Sequence, residues 1–226
     1  MTNIAQCIST IKKRIARDEI KYHRPAGSVQ LLAVTKHQSL EKIKAAIDAG
    51  QCAFGESYLQ EALPKIAALS DVPLEWHFIG PIQRNKTRKI AGHFQWVQSV
   101  DSLTIAKRLN EQRPIHLGPL NICIEVNSSD EPSKSGIPLH EVASFIANCR
   151  AFPHLKIRGL MAIPAPASSL SQQRERFHSL FVLWQSLNAS DPQFDTLSIG
   201  MSDDFEAAIA EGSTMVRLGT ALFGKR

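Results

Sequence analysis

Short apolar runs recur along the chain at fairly regular intervals, and segments with helical spacing separate them. Within a run the apolar residues follow one another rather than alternate, which is typical of strands in a parallel sheet covered on both faces. We predict eight strands: Val29–Thr35, Cys52–Gly55, Trp76–Gly80, Gln95–Val100, Leu120–Val126, Ile157–Ala162, Thr196–Gly200 and Met215–Leu218. The second and fourth carry the weakest signal, because they are short or polar.

The segments between these strands carry apolar residues three and four positions apart, as Leu40, Ile43 and Ile47 do, which predicts one apolar helix face. A further helix, about Asn3–Tyr22, precedes the first strand. Eight strands separated by helices, with no Gly-, Pro- or Ser-rich break, predict an α/β fold. We expect a single parallel (β/α)8 barrel of the TIM type with an extra N-terminal helix, forming one domain over residues 1–226. An open doubly wound sheet is the alternative.

Composition narrows the functional classes. Hydrophobic residues make up 43% of the chain and charged residues 21%, and the net charge is +5. The basic clusters at 12–14 and 84–89 lie on predicted helices without interleaved aromatics, so we expect solvated helix faces and no nucleic-acid partner. The four cysteines are widely spaced, which argues against a zinc or dithiol site. We find no membrane span or signal peptide, and we expect a cytoplasmic monomer with reduced thiols.

Three sequence features are predicted to meet at one end of the barrel. Gly200-Met201-Ser202 and Gly219-Thr220 follow the seventh and eighth strands, and Lys36 ends the first strand. Phosphates commonly bind the loops after strands seven and eight of such barrels, at the carboxyl ends of the strands. Strand one neighbours strand eight once the barrel closes, so Lys36 is expected to face both loops. Arg217 lies inside the apolar eighth strand and needs a partner or a cavity.

This combination predicts a site for pyridoxal 5′-phosphate. Lys36 would form a Schiff base with the cofactor aldehyde. The hydroxyls of Ser202 and Thr220, with the main-chain N–H groups around Gly200, Met201 and Gly219, would hold the phosphate. Arg217 would face the pyridine nitrogen and, because arginine keeps its proton, would leave that nitrogen unprotonated. The alternative for Arg217 is a structural ion pair with a carboxylate such as Glu56.

The ordered motifs of this chain resemble those of the pyridoxal phosphate homeostasis protein family. The resemblance extends from about Gln30 to the C-terminus. The motifs that carry it are Ala33-Val34-Thr35-Lys36, Phe54-Gly55-Glu56, Trp76-His77-Phe78-Ile79-Gly80, Gln83-Arg84-Asn85-Lys86, Asn127 to Gly136, Arg158-Gly159-Leu160-Met161-Ala162, Ser198 to Asp204 and Arg217 to Gly224.

The resemblance implies a single barrel like the N-terminal domain of alanine racemase, with Lys36 as the cofactor lysine. It also implies a role in binding and delivering pyridoxal phosphate, and in keeping its free level low, without established turnover. One departure is Ser57, where the family has Asn after Gly-Glu, which puts a cofactor contact from that side chain in doubt.

Other residues allow two interpretations each. His77 is either part of the cofactor pocket or a hydrogen-bonded core histidine, and Met161 either packs on the cofactor ring or fills the core. Lys134 is either a second amine that relays the aldehyde or a solvated loop lysine. Asp203 and Asp204 are read as acids that cap the following helix, with Asp203 and Glu206 spaced as in a capping box.

For Asn85 and Lys86 a surface helix is the default, and the resemblance favours the pocket only mildly.

Two functions from different classes compete. The first is a non-enzymatic carrier that binds pyridoxal phosphate reversibly and passes it to apo-enzymes that use this cofactor. The second is an amino-acid racemase, which needs an acid/base on each face of the substrate, and we expect no domain after strand eight to supply the second one. A Schiff-base aldolase on the same fold would leave Arg217 and the paired phosphate loops less well explained. We therefore expect a carrier and not an enzyme.

Overall fold

The computed structural model describes residues 3–128 and 135–224, and within them parallel strands close into a barrel. The strands are β1 (Gln30–Val34), β2 (Ala53–Glu56), β3 (Glu75–Phe78), β4 (Trp96–Val100), β5 (Leu120–Asn127), β6 (Ile137–Pro138), β7 (Leu155–Met161), β8 (Thr196–Ser198) and β9 (Met215–Leu218). The barrel runs β1 to β5 and then β7 to β9, and pairing of β4 with β5 and of β1 with β9 closes it.

Helices surround this barrel. They are α1 (Ile4–Lys21), α2 (Leu40–Asp48), α3 (Leu59–Ala68), α4 (Thr87–His93), α5 (Leu103–Gln112), α6 (Val142–Cys149), α7 (Leu170–Ser190), α8 (Phe205–Ala210) and α9 (Thr220–Phe223). Short 3-10 turns span Arg84–Lys86, Ile115–Leu117 and Leu139–Glu141. The predicted TIM-type barrel with an additional N-terminal helix is confirmed, and the open-sheet alternative is wrong because β1 pairs with both β2 and β9.

Each of the eight predicted strands overlaps one barrel strand. One strand was not predicted: β6, a two-residue strand that pairs with the end of β5 through Val126 and Ile137. Two residues are too few to show a period in the sequence, so this pairing has no local signal.

The N-terminal helix α1 is fastened to the start of the barrel by buried groups. Ile4, Ile8, Ile11 and Ile15 recur at helical spacing and join the main hydrophobic core. The buried carboxylate of Glu19 accepts hydrogen bonds from the main-chain N–H of Gly27 at 3.0 Å and of Val29 at 2.8 Å. These bonds hold the turn that leads into β1.

Apolar side chains occupy both faces of the barrel wall. The outer core, between strands and helices, includes Leu31 and Ala33 of β1. Two smaller clusters are separate from it: Leu32, Ala53 and Met215 with Ile79, and Trp96, Cys123 and Met161. Because alternate residues of a strand point to opposite faces, these two clusters fill the barrel interior. Interior and outer positions can therefore be assigned strand by strand.

Candidate functional site

The three motifs predicted to converge do so at the carboxyl ends of the strands. The main-chain N–H of Ala221, at the start of α9, donates to Ser202 Oγ at 3.3 Å, which joins the loops after β8 and β9. A Cβ added to Gly219 would lie 3.3 Å from the carbonyl oxygen of Val34. Lys36 follows Val34 by two residues, so all three motifs share this rim.

Lys36 lies at the interior mouth of the barrel. Leu32 belongs to an interior cluster, Ala33 to the outer core, and Thr35 bonds the outward-facing Glu56. Continuing this alternation places Lys36 on the interior side. The side chain is half-buried and, within the described residues, makes no hydrogen bond or ion pair. Its amine is therefore available to a ligand.

The two loops offer main-chain donors to an anion. Within residues 3–128 and 135–224, the N–H groups of Ser202, Asp203 and Gly219 donate no hydrogen bond to the protein. The N–H of Met201 is already used, because it donates to Asp204 Oδ1 at 2.6 Å. Unpaired N–H groups in adjoining turns form a concave anion-binding surface, and the hydroxyls of Ser202 and Thr220 lie in the same turns. These loops fit a phosphate group.

The helix-capping role assigned to Asp203 and Asp204 is corrected by the structure. Asp204 occupies the N-cap position of α8, but its side chain makes no capping bond. It accepts from Met201 instead, and the predicted capping box between Asp203 and Glu206 is not the arrangement seen, because Glu206 bonds Lys21 and Tyr22 of the N-terminal segment. Burial raises the pKa of Asp204, against the lowering effects of the Met201 N–H bond and the charge of Arg217.

A prediction follows from Gly200, which begins the first loop. Its φ is +95°, and an added Cβ would lie 2.6 Å from the Cβ of Ala208 in α8. We expect Gly200→Ala to destabilise the protein by about 2–3 kcal/mol, since the backbone strain alone is worth about 1–3 kcal/mol, and to lower Tm by roughly 4–12 °C. Thermal unfolding followed by circular dichroism measures this.

Gly92→Ala is the matched control, because Gly92 lies in α4 with nothing within 4 Å of an added Cβ and without a positive φ. We expect an unchanged or slightly higher Tm. Equal effects of the two substitutions would show that Gly200 is not constrained.

Arg217 points into the barrel interior and is held by neutral oxygen atoms. Its Nη1 donates to the carbonyl oxygen of Ser198 at 2.6 Å and to Ser198 Oγ at 2.9 Å, and its Nη2 donates to the carbonyl oxygen of Ala162 at 3.0 Å. In the described part of the chain its Nε–H has no acceptor. Burial lowers the pKa of Arg217 to about 10, against the charges of Asp204, Cys123 and Glu125, so it remains a cation at neutral pH.

The alternative ion pair between Arg217 and Glu56 is wrong. Glu56 faces outward and bonds Lys65 Nζ at 2.7 Å and Thr35 Oγ1 at 2.6 Å. Burial raises the pKa of Glu56, and the bonds from Lys65 and Thr35 act against that rise. The two residues lie on opposite faces of the barrel wall.

His77 and Met161 both lie inside the barrel. His77 is fully buried, with Nε2 2.8 Å from Glu75 Oε1 and Nδ1 2.8 Å from Gln98 Nε2. Its ring also stacks on Trp96, with centroids 5.1 Å apart. Both ring nitrogens are thus occupied, which favours the hydrogen-bonded core histidine over direct cofactor contact. Met161 packs with Trp96 and Cys123.

Three polar residues near Arg217 were missed by the sequence analysis. Ser198 and Gln98 bond each other in the interior. Glu125 follows interior Cys123 by two residues on β5 and therefore faces the same side. Burial and the charge of Asp101 raise the pKa of Glu125 to about 7, against the lowering effect of Arg217. The sequence did offer one signal for these interior residues, because each is a polar residue in an otherwise apolar strand.

The other residues considered from the sequence are Ser57, Asn85, Lys86 and Lys134. Ser57 and Lys86 line one cavity of about 230 Å³, beside Tyr58 and Gln83. Asn85 lies in the 3-10 turn that precedes α4. Lys134 lies outside the described residues.

Comparison with known proteins identifies the family. A family model described as "Alanine racemase, N-terminal domain" matches residues 14–226. Pyridoxal phosphate homeostasis proteins from Pseudomonas aeruginosa and Escherichia coli are 51% and 48% identical, each over 100% of this chain and 97% and 98% of their own length.

The chain belongs to the pyridoxal phosphate homeostasis protein family. The present chain is similar to the PipY protein of Synechococcus elongatus, whose structure has pyridoxal phosphate bound. The TM-score is 0.84, and the identity is 33% over 98% of this chain and 100% of PipY. Alanine racemase from Corynebacterium glutamicum has a TM-score of 0.69 at 18% identity, and the match covers 99% of this chain but 61% of the racemase. That likeness shows the shared barrel fold. None of the helices in residues 3–128 and 135–224 is long and apolar enough to cross a bilayer.

Proposed function

We propose that this protein binds pyridoxal 5′-phosphate reversibly through a Schiff base with Lys36 and serves intracellular vitamin B6 homeostasis by delivering the cofactor. The observation that carries the proposal is the convergence of an unpartnered lysine, two loops with free N–H groups and a buried arginine with a free Nε–H. The full-length match to proteins named for pyridoxal phosphate homeostasis supports it.

Each part of the site fits one part of the cofactor. Lys36 supplies the amine for the aldehyde. The N–H groups of Ser202, Asp203 and Gly219, with the hydroxyls of Ser202 and Thr220, receive the phosphate, and Gly200 shapes the first of these loops. A cofactor held through Lys36 would supply an electron-withdrawing pyridine ring at the site.

The residues around that ring argue for binding without turnover. The guanidinium of Arg217 is a cation that donates hydrogen bonds only. It favours an unprotonated ring nitrogen, and this weakens the ring as an electron sink. The chain matches nearly the whole length of the homeostasis proteins but about three-fifths of the racemase. We propose a carrier rather than a racemase.

The setting of this function is part of the same proposal. We propose that residues 1–226 act as one domain, that the protein is a monomer in the cytoplasm, and that its partners are apo-enzymes that use pyridoxal phosphate. Cys7, Cys52, Cys123 and Cys149 are free thiols, in keeping with a reducing compartment.

A transfer experiment tests the carrier role. The cofactor-loaded protein is mixed with an apo-transaminase, with and without a trap that removes free pyridoxal phosphate. We expect recovery of transaminase activity that survives the trap, because handover between proteins does not pass through free cofactor. Free cofactor at the same concentration is the control, and its effect should be lost to the trap.

Two outcomes would contradict the proposal. Activation lost entirely to the trap would show release without delivery. Racemisation of alanine or other amino acids, at a rate well above that of free pyridoxal phosphate, would establish an enzyme.

A further inference from the structure

A continuous network of hydrogen bonds crosses the barrel interior, from the partly exposed Glu75 to the buried Arg217. It begins at Glu75, on the first residue of β3, whose Oε1 lies 2.8 Å from His77 Nε2. Gln98 Nε2 lies 2.8 Å from His77 Nδ1, and Ser198 Oγ donates to Gln98 Oε1 at 2.7 Å. Arg217 Nη1 then donates to Ser198 Oγ at 2.9 Å. These five residues are called the interior network below.

The contacts of Gln98 fix the direction of every bond in this network. Its amide nitrogen contacts two acceptors, His77 Nδ1 and, at 3.1 Å, the sulfur of Met215. Its oxygen faces the hydroxyl of Ser198. Both amide hydrogens and the oxygen are therefore used, and a flipped amide would place its oxygen against the sulfur.

His77 is consequently the neutral tautomer with its proton on Nε2. Its Nδ1 accepts from Gln98, so Nε2 must donate to Glu75. Burial also lowers the pKa of His77, which outweighs the raising effect of Glu75. The network is thus an ordered series of donors that runs from Arg217 to Ser198 and Gln98, and then from Gln98 to His77 and Glu75.

Near Arg217, the network determines the orientation of the Ser198 hydroxyl. Because that hydroxyl gives its hydrogen to Gln98, its lone pairs are free to accept from Arg217. Without the Gln98 oxygen, the hydroxyl hydrogen loses its acceptor and the hydroxyl rotates more freely, so that Ser198 Oγ is held less firmly against Arg217 Nη1. The remaining two bonds of Arg217 go to main-chain oxygens and leave the plane of the guanidinium less restrained.

We propose that Gln98 and His77 are positioning residues for Arg217: through Ser198 they orient the guanidinium so that its free Nε–H faces the interior site. The network itself is a property of the protein without any ligand. That the Nε–H meets the pyridine nitrogen rests on the proposed function. Neither Gln98 nor His77 touches the cofactor in this assignment, and both act through Ser198.

The test compares two substitutions of buried glutamines. Gln98→Met removes the amide from the network while keeping a similar volume. Gln51→Met is the matched control, because the Gln51 amide is also buried and donates to the carbonyl oxygens of Leu31 and Ala53, away from the network. Gln98→Glu is a second, nearly isosteric variant, which replaces the donor to His77 by an acceptor.

The first readout uses the protein without cofactor. Nitrogen-15 NMR of labelled histidine and arginine side chains, assigned with His77→Asn and Arg217→Lys, reports the tautomer of His77 and the environment of Arg217 Nε. We expect the Nε2–H tautomer in the wild type and in Gln51→Met, and a protonated Nδ1 in Gln98→Glu. We expect the Arg217 Nε resonance to move in both Gln98 variants and to stay in place in Gln51→Met.

The second readout adds pyridoxal phosphate labelled with nitrogen-15 in its ring. We expect Gln98→Met to shift the ring-nitrogen resonance and to weaken binding about threefold to tenfold, as the loss of one neutral hydrogen bond would. Gln51→Met should change neither. An Arg217 Nε resonance unchanged in both Gln98 variants would overturn the proposal whether or not the cofactor binds. If the Arg217 Nε resonance moves in the Gln98 variants but the wild-type protein does not bind the cofactor, the proposed function is wrong. The positioning of Arg217 by Gln98 and His77 is then still supported.

Discussion

Lys36→Ala is expected to abolish the visible absorption band that pyridoxal phosphate gives when bound to the wild-type protein. The band requires the conjugated carbon–nitrogen double bond of a Schiff base, and Lys36 is the interior, unpartnered amine beside the loops that follow β8 and β9. Because Lys36 makes no bond within the described residues, the substitution should leave Tm nearly unchanged. Absorption spectra of the two proteins with equimolar cofactor measure the effect.

Borohydride reduction followed by peptide mapping identifies the lysine directly, and we expect the pyridoxyl group on Lys36. Lys156→Ala is the control, because Lys156 is an exposed lysine near the start of β7, and it should keep the full band. A pyridoxyl group found on Lys134 in place of Lys36 would contradict the assignment.

The order of strands and helices was readable from the sequence because each barrel strand is a short apolar run between segments of helical spacing. The weak signal of the fourth strand has a structural reason. Gln98 and Ser99 interrupt its apolar run, yet Gln98 is fully buried in the interior network. Polar residues that bond each other inside a barrel look, in sequence, like the end of a strand.

The convergence of Lys36 with the two loops was also predictable, because closure of a parallel barrel brings the ends of its first and last strands together. The partners of Arg217 could not be predicted. Both faces of a barrel wall are apolar, so the sequence does not show which residues of a strand point inward. The ion pair with Glu56 stayed open as the alternative until the structure gave the outer position of Glu56.

The interior network could not be derived from sequence spacing either. Gln98 meets His77 across 21 residues and Ser198 across 100. Contacts of this kind depend on the register between strands and on the stagger of the barrel, neither of which leaves a local pattern. The capping role of Asp204 was wrong for a local reason: its carboxylate accepts from the N–H of Met201, three residues earlier in the same loop, and not from the first turn of α8.

Pyridoxal phosphate is expected to bind at least about 100-fold more tightly than pyridoxal, because the free N–H groups of the two loops have no other anion to accept their hydrogen bonds. A hydrogen bond to a charged group is worth about 1.5–3 kcal/mol, so two of them account for roughly a hundredfold to ten-thousandfold. Ser202→Ala should weaken pyridoxal phosphate binding about tenfold to a hundredfold and leave pyridoxal binding unchanged. Titration followed by absorption and fluorescence measures both ligands on each protein.

The ratio of the two affinities isolates the phosphate, since a general disturbance of the site weakens both ligands alike. Ser144→Ala is the control: the exposed hydroxyl of Ser144 in α6 donates to the main-chain oxygen of Glu141, and the ratio should stay at its wild-type value. Equal affinity of the wild-type protein for the two ligands would refute a phosphate role for both loops. A lower ratio in Ser144→Ala would show that the effect of Ser202→Ala is not local. A wild-type ratio above about 100 that falls only in Ser202→Ala would place the phosphate beside Ser202, where the loops after β8 and β9 meet.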